Sequence, residues 1–252
     1  MEYFKNFPYT RYVFGNEAEE IGTGKVITEV IQDISRYVDV IDDVKRSKAF
    51  SLKYYIQENE RPDNVSMKLY GTPSYHWTFW LMNDHLREQG WPLTYRNMQK
   101  QIERDFPGYA AVTKFDLTGH YLPGEIVVGT TSDARAIVKR RRLDVGAIHL
   151  HMVEGSRKFL SYERIAPKSI SALQTQPVNA DIMLEYKSPH HYLDTNGERV
   201  DIDPAVGPGA LVTEVTIEDY YHQQNDKLKE INIIKPESII EVSNLYKEAI
   251  SR

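Results

Sequence analysis

The sequence predicts an α+β protein, and three observations support this class. Residues 50–57 alternate apolar and polar positions, which is the period of a half-buried strand. Two helix-like runs follow at 62–70 and 75–82, separated by the turn signal Gly-Thr-Pro at 71–73. Between residues 115 and 166 glycines become frequent and strand-like runs become short, which favours an inserted small β-barrel-like module.

The composition narrows the class of protein further. The chain has 252 residues, of which 41% are hydrophobic, so it can bury a sizeable core. Its 31 basic and 36 acidic residues give a net charge of −5, which argues against a generic nucleic-acid binder. The absence of cysteine excludes disulfides and thiolate zinc sites. We expect neither a secretory signal nor a membrane-spanning helix, because the N-terminus lacks a basic region followed by an apolar one and no apolar run approaches about 18 residues.

Residues 1–50 are predicted to form an N-terminal arm followed by a strand. The first 24 residues lack a regular pattern and are rich in aromatic side chains, whereas residues 26–31 form a β-branched run that is typical of a strand. Aromatic side chains on an arm suit contact with another protein, and the 17 tyrosines of the chain favour the same interpretation. The candidate contact residues of the arm are Phe4, Phe7, Tyr9 and Tyr12.

Residues 51–90 carry the predicted strand and the two helices. Pro62 suits the first turn of a helix. Trp77 and Trp80 lie three residues apart on one face of the second helix, which we interpret as core packing, with an anchor for a partner as the alternative. Trp91 stands beside a predicted loop, so core packing and protein contact are both open for it.

The rest of the chain divides into four segments. Residues 91–114 contain a connecting helix, and residues 115–166 form the β module. Residues 167–225 are rich in loops and include an Asn-Gly hairpin turn and a capped helix. Residues 226–252 end the chain with a strand and an amphipathic helix.

A weak internal repeat brackets the β module. The stretches that begin at Tyr121 and at Phe159 both fit the pattern [FY]-L-x-x-E-x-[IV]. The repeat marks two similar positions in the predicted module.

One dense basic run, Lys139–Arg142, falls at a predicted hairpin turn. We expect the run to be solvated, with an acidic protein partner as one alternative and nucleic acid as a weaker one. Arg140 and Arg141 are therefore candidate contact residues.

No constellation of catalytic residues is recognisable. The chain contains neither a G-x-x-x-x-G-K-[ST] phosphate loop nor a G-x-S-x-G nucleophile elbow. His149 and His151 would point to one face of a strand, and Glu154 or His120 could add a ligand, but no third ligand is fixed by spacing. We expect solvated histidines, and the sequence predicts no enzyme, no metal site and no cofactor.

Several motifs together resemble one family. They are YFKNFP at 3–8, RP at 61–62, LYGTP at 69–73, Y-x-W-x-x-WLMND at 75–84, GWP at 90–92 and LKEINIIK at 228–235. Their order and spacing are similar to those of the baseplate wedge proteins of T-even-like contractile-tailed bacteriophages, which resemble the lysin-motif (LysM) fold. The resemblance covers roughly residues 1–95 and 218–252.

The resemblance implies a LysM-like βααβ core that a long insertion splits before its last strand. That strand would be 231–234, paired with the strand near Tyr54. Each doubling of the length of a loop raises its closure free energy by only about 0.6 kcal/mol, so a long insertion is compatible with a stable core. The implied core residues are Tyr54, Ile56, Leu69, Tyr70, Trp77, Trp80, Ile231 and Ile233, and Tyr246 on the last helix is a further candidate contact residue.

The resemblance also implies a function. Members of the family are structural proteins that join adjacent wedges into the ring around the hub, without cofactor or turnover. The implied partners are other baseplate wedge proteins, neighbouring wedges, and hub or sheath-initiator proteins, but no nucleic acid and no membrane. The expected location is the tail baseplate of the virion, after assembly in the host cytoplasm. Several symmetric copies, six or a multiple of six, are expected in each virion.

The alternative function is a LysM-type module that binds peptidoglycan or chitin. In such modules the loop after the first strand typically carries a Gly-Asp-Thr-like turn. Here that loop, 58–62, has the sequence Glu-Asn-Glu-Arg-Pro and lacks the turn. Because a fold does not fix its function, the sequence favours an architectural use over glycan binding.

Overall fold

The computed structural model describes residues 7–16, 26–33, 40–47, 49–168 and 176–251. The chain divides into two compact units. Unit 1 consists of Met1–Pro92 together with Asp226–Arg252, and unit 2 consists of Leu93–Asn225. Both units mix helices with strands, so the protein belongs to the α+β class.

Unit 1 contains two separate two-stranded antiparallel sheets in its described part. Its elements are β1 (Tyr9–Asn16), β2 (Val26–Gln32), α1 (Val40–Arg46), β3 (Ser51–Tyr55), α2 (Pro62–Tyr70), α3 (Thr78–Met82), α4 (Asp84–Gln89), β13 (Glu230–Ile234) and α7 (Ile239–Ser251), with short 3-10 helices at Pro73–Tyr75 and Pro236–Ser238. β1 pairs with β2, and β3 pairs with β13. The prediction of an irregular arm is therefore wrong for residues 9–16, which become a strand because the β-branched β2 offers a pairing partner.

β3 and β13 are distant in the sequence and pair in one register. Tyr54 lies opposite Ile231, and Leu52 lies opposite Ile233. The side chains of Ile231 and Ile233 are buried. A slip by one residue would turn both to the other face, so this burial fixes the register.

The helices between these strands begin and end at residues that suit those positions. Pro62 is the first residue of α2, where its missing N–H has no partner to lose. Gly71 follows α2 with a φ of +72° and donates its N–H to the carbonyl oxygen of Met67. The helix predicted over 75–82 is interrupted: a 3-10 turn precedes α3, and Asn83 in an extended conformation separates α3 from α4.

Two clusters of buried side chains form the core of unit 1. Trp77 belongs to the first cluster, where its ring centroid lies 5.5 Å from that of Tyr246 on α7. Of the side chains predicted as core, four are buried and four pack against the clusters: Ile56, Trp77, Ile231 and Ile233 in the first group, and Tyr54, Leu69, Tyr70 and Trp80 in the second. Each fully buried large apolar side chain stabilises the fold by about 1.5–3 kcal/mol, so the C-terminal segment is an integral part of unit 1.

Unit 2 is built around a closed barrel of six strands. Its elements are α5 (Tyr95–Asp105), β4 (Tyr109–Val112), β5 (Ile126–Gly129), β6 (Arg135–Arg142), β7 (Ala147–Met152), β8 (Tyr162–Pro167), β9 (Val178–Leu184), β10 (Pro189–Leu193), β11 (Arg199–Val200), β12 (Thr213–Thr216) and α6 (Ile217–Lys227), with a 3-10 helix at Glu185–Lys187. The barrel order is β4-β7-β6-β5-β8-β9, and a second sheet has the order β11-β10-β12.

The barrel takes in more of the chain than the module predicted at 115–166. β4 precedes that range and β9 follows it. In β9 the side chains of Val178, Ala180 and Ile182 alternate into the barrel core. Pro177 and Asn179 gave this stretch the composition of a loop, which hid the alternation.

The barrel consists of two similar halves. Its strand order is unchanged when β4, β5 and β6 are exchanged with β7, β8 and β9. The weak sequence repeat lies at equivalent positions of the two halves, and Tyr121 and Phe159 are both buried in the barrel core. Glu125 and Glu163 each accept a hydrogen bond from the backbone N–H three residues earlier, at 2.9 and 2.8 Å. The repeat is therefore a turn that a carboxylate stabilises.

Glu163 also fixes the turn between β5 and β6. Its buried carboxylate accepts hydrogen bonds from the N–H groups of Thr131 and Ser132 and, at 2.8 Å, from the Ser132 hydroxyl. Burial alone would raise the pKa of Glu163, but hydrogen bonds from Leu160 and Ser132 lower it below the ordinary value. Gly129 is needed beside this carboxylate, because a Cβ there would lie 2.5 Å from one of its oxygens.

Candidate interaction surface

The ribbon formed by β1 and β2 exposes apolar side chains on both faces. Tyr9 is 70% exposed and Tyr12 is 52% exposed, and the two point to opposite faces because successive side chains of a strand alternate. Val13 on β1 and Val30 on β2 are also more than half exposed. Phe4, the remaining aromatic candidate before the ribbon, lies outside the described residues. The two faces of the ribbon therefore offer apolar surface to a partner.

The ribbon is attached to unit 1 at its base. Phe7 is buried in the cluster that contains Val44 and Trp77. The Asp33 N–H donates a hydrogen bond to the Pro8 carbonyl oxygen at 2.9 Å, which extends the pairing of the two strands. A two-stranded ribbon is marginally stable alone in water, so further burial of its faces would stabilise it.

Phe7 and Tyr246 are core residues, which corrects their prediction as contact residues. Both belong to the same cluster and are almost fully buried. Phe7 was grouped with the exposed aromatics that follow it, although it lies at the junction with the core. Tyr246 shares the apolar face of α7 with Val242 and Ile250, at helical spacing.

Trp91 packs at the edge of the core of unit 1. Its indole Nε1 donates a hydrogen bond to the Glu60 carbonyl oxygen at 2.8 Å. Its ring lies 5.7 Å from the ring of Trp80 and 5.9 Å from that of Phe79. Of the two interpretations left open for Trp91, the structure shows packing.

The basic run lies on β6, which corrects its prediction at a turn. Arg141 donates hydrogen bonds to the carbonyl oxygens of Leu117 and His120, both at 2.6 Å, and is therefore a structural residue rather than a contact residue. Arg140 remains 46% exposed, and its guanidinium lies 3.6 Å from the Glu185 carboxylate. Only part of the run is thus available to a partner.

His149 is buried, which corrects the prediction that it is solvated, whereas His151 is exposed. The Nδ1 of His149 donates to the buried Glu185 carboxylate at 2.9 Å. Burial alone would raise the pKa of Glu185, but the hydrogen bond from His149 and the charges of Lys139 and Arg140 lower it. The pair ties β7 to the 3-10 helix after β9. Sequence spacing could not show this, because His149 meets its partner only in the folded barrel.

A cleft of about 660 Å³ lies within unit 2. Val112, Asp181 and Tyr162 come from adjacent barrel strands and line one side. Tyr192 and Glu214 line the other side, and the Tyr192 hydroxyl donates to the Glu214 carboxylate at 3.3 Å. Burial raises the pKa of Glu214 and raises the pKa of Tyr192 to about 12. Thr113 and Lys114 also line the cleft, and no histidine or serine is among its described lining residues.

The described ranges hold neither a candidate metal site nor a candidate membrane span. Among them, no group of three or more histidine, aspartate or glutamate side chains could hold a metal ion. No helix in the described part of the chain is both long and apolar enough to cross a membrane. Neither a protein-family model nor a curated protein matches the chain.

Proposed function

We propose that the protein is a structural component of a contractile phage tail baseplate, where it joins adjacent wedges into the ring around the hub. The β1–β2 ribbon carries this proposal, because Tyr9, Val13 and Val30 expose apolar surface on an element that is marginal alone. Neighbouring subunits in a ring would bury that surface. The role needs no catalytic step and no cofactor.

The core of unit 1 supports the proposal together with the sequence motifs. We infer a LysM-like βααβ core, with β3 as the first strand, α2 and α3 as the helices and β13 as the last strand. The antiparallel pairing of β3 with β13 is the feature that such a split core requires. Unit 2 is then the insertion, and its barrel adds surface for contacts with other baseplate proteins.

The proposed partners are other baseplate wedge proteins, neighbouring wedges, and hub or sheath-initiator proteins. The proposed location is the virion baseplate, in six copies or a multiple of six. The exposed guanidinium of Arg140 suits an acidic protein surface.

Glycan binding is the weaker proposal, because the loop after β3 uses its polar groups within unit 1. The Glu60 carboxylate accepts hydrogen bonds from the Tyr54 hydroxyl at 2.7 Å, from Lys68 at 2.9 Å and from the Gln57 N–H at 2.9 Å. The backbone oxygen of Glu60 accepts from Trp91. A pull-down on peptidoglycan and chitin tests this alternative, and saturable binding at micromolar affinity would favour it.

Quantitative mass spectrometry of purified contractile-tailed virions tests the proposed function. We expect the protein in the tail fraction at six copies or a multiple of six, and we expect its deletion to stop tail assembly at the baseplate. Virions that lack the protein, with normal tails after its deletion, would exclude the role.

The ribbon is tested by the double variant Tyr9→Ser, Val30→Ser. We expect it to fold with an unchanged thermal midpoint, since both side chains are exposed, and to fail to enter virions. Leu211→Ser is the matched control, because Leu211 is an exposed apolar residue outside the ribbon. Equal incorporation of the ribbon variant and the control would contradict the assigned role of the ribbon.

A further inference from the structure

We propose that the outer edge of β3 binds an extended segment of a partner protein by strand addition, with an acidic residue of that segment opposite Lys53. The proposal is independent of the assembly role above, because it rests on the backbone groups of one strand. It names a second interaction surface on unit 1, apart from the ribbon.

The sheet of β3 and β13 is closed on the β13 side. The Asn83 Oδ1 accepts a hydrogen bond from the Asn232 N–H at 2.8 Å, and the Asn83 Nδ2 donates to the Asn232 carbonyl oxygen at 2.7 Å. The Tyr70 hydroxyl donates to the Ile234 carbonyl oxygen at 2.8 Å. These side chains take the place of a neighbouring strand, so the sheet can grow only at β3.

The odd-numbered residues of β3 direct their backbone groups away from β13. The ladder includes a bond from the Ile56 N–H to the Lys229 carbonyl oxygen at 2.9 Å. Because antiparallel pairing uses alternate residues, the even-numbered residues of β3 bond to β13. The N–H and C=O groups of Ser51, Lys53 and Tyr55 therefore point to the outer edge.

Local contacts satisfy one backbone group at each end of this edge and leave its centre unpaired. The Ser51 N–H donates to the Ser47 carbonyl oxygen at 3.2 Å, and the Tyr55 carbonyl oxygen accepts from the Gln57 side chain at 3.0 Å. Within the described ranges, both backbone groups of Lys53 and the N–H of Tyr55 have no hydrogen-bond partner. A strand edge of this kind is a template for an added strand.

Apolar side chains flank the unpaired groups on both faces of the sheet. Leu52 is 51% exposed on the face that carries the core, and Tyr55 is 52% exposed on the opposite face. The alternation in the sequence predicts Leu52 on the buried face. Because β3 has only one neighbouring strand in the described structure, the outer part of that face is still exposed to solvent. An added strand would cover both Leu52 and Tyr55.

The charge of the edge favours a partner segment over a second copy of the chain. Antiparallel pairing of two β3 strands centred on Lys53 would place two lysines directly opposite each other, which is destabilising. Lys53 is 76% exposed and already pairs across the sheet with Glu230. A segment with aspartate or glutamate opposite Lys53 and an apolar residue beside Leu52 fits this edge.

A display library of random linear peptides, selected against the full chain, tests the proposal. We expect the enriched peptides to alternate apolar with acidic residues. They should bind Lys53→Pro more than about tenfold more weakly, because proline removes the outward N–H of Lys53. The ladder to β13 does not use that N–H, so the variant should fold, which the thermal midpoint checks.

Two further variants separate backbone pairing from charge. Lys53→Glu should weaken binding by repelling the acidic residue of the peptide. Lys158→Glu, at an exposed position in unit 2, should leave binding unchanged. Enriched peptides that bind Lys53→Pro as tightly as the natural chain, or a selection that enriches none, would overturn the proposal.

Hydrogen exchange of the full chain provides a readout that does not depend on the library. The amides of Leu52 and Tyr54 should exchange slowly, and those of Lys53 and Tyr55 should exchange fast until an enriched peptide is added. Protection of Lys53 and Tyr55 in the free monomer would mean that the edge is already filled. A concentration-dependent dimer that Lys53→Pro abolishes would assign the edge to a second copy, and either result would refute the proposed partner segment.

Discussion

Replacing Asn83 with leucine tests whether one carboxamide closes the sheet of unit 1. Asn83 is 2% exposed. Besides its two bonds to the backbone of Asn232, its Nδ2 donates to the Phe79 carbonyl oxygen at 2.8 Å. Leucine is similar in size but forms none of these hydrogen bonds, so three backbone groups lose their partner.

We expect Asn83→Leu to lower the free energy of unfolding of unit 1 by about 3 kcal/mol. A hydrogen bond in a protein contributes about 1 kcal/mol net, and buried groups left without a partner raise the loss. The variant Asn83→Asp separates the contribution of the two donated hydrogen bonds from that of the accepted one. A carboxylate still accepts from the Asn232 N–H but cannot donate to the two carbonyl oxygens. Protonation restores one donor, so the loss caused by Asn83→Asp should be greatest at neutral pH and smaller in acid.

Urea unfolding followed by tryptophan fluorescence measures this change in unit 1 alone. The three tryptophans, Trp77, Trp80 and Trp91, all belong to that unit. The shift of the urea midpoint multiplied by the m-value gives the change in free energy.

Asn232→Ala is the matched control for Asn83→Leu. Its side chain is exposed and only its backbone bonds to Asn83, so we expect a change within about 0.5 kcal/mol. A loss below about 1 kcal/mol for Asn83→Leu would refute the idea that the carboxamide replaces a strand.

Three further predictions concern the barrel. Glu163→Gln should cost about 2 kcal/mol, because an amide cannot accept all the hydrogen bonds of the carboxylate. Since the pKa of Glu163 is lowered from 4.5, its contribution is present above pH 4.5 and lost as the pH falls through the lower native value, which circular dichroism of the variant and the natural chain should show. Gly129→Ala should lower the thermal midpoint and Gly209→Ala should not, because a Cβ meets oxygen atoms at 2.5 Å at the first site and nothing within 4 Å at the second. Arg141→Ala should lower the thermal midpoint through its two lost hydrogen bonds, whereas Lys158→Ala, at an exposed position, should leave it unchanged.

Local patterns in the sequence were sufficient for much of unit 1. Pro62 and Gly71 mark the two ends of α2, because their effects on the backbone act within one turn. Ile231 and Ile233 are predictable as one face of a strand, since alternation is a property of neighbouring positions. In unit 2, the turn repeated at Glu125 and Glu163 is also local, and it is visible in the sequence as the weak repeat.

Features that depend on distant partners could not be predicted in the same way. Phe7 is buried only because α7 and Trp77 meet it after folding. His149 has the sequence context of a solvated strand residue, and its burial requires Glu185 from beyond the next two strands. The ribbon strand β1 consists mostly of residues that favour strands, but apolar and polar residues do not alternate along it and its register is irregular between Val13 and Gly15. Its pairing with β2 could therefore not be predicted from the pattern.

The pairing of β3 with β13 determines the order in which the two units can finish folding while the chain is being synthesised. Unit 2 is one continuous stretch, Leu93–Asn225, so it can fold as soon as it emerges, whereas the sheet of unit 1 waits for β13, which follows unit 2 in the sequence. A truncated product that stops before residue 226 would combine a finished barrel with an unfinished unit 1 whose β3 is bare on both edges. Such a product exposes unpaired strand edges, which leaves it open to proteases and to aggregation.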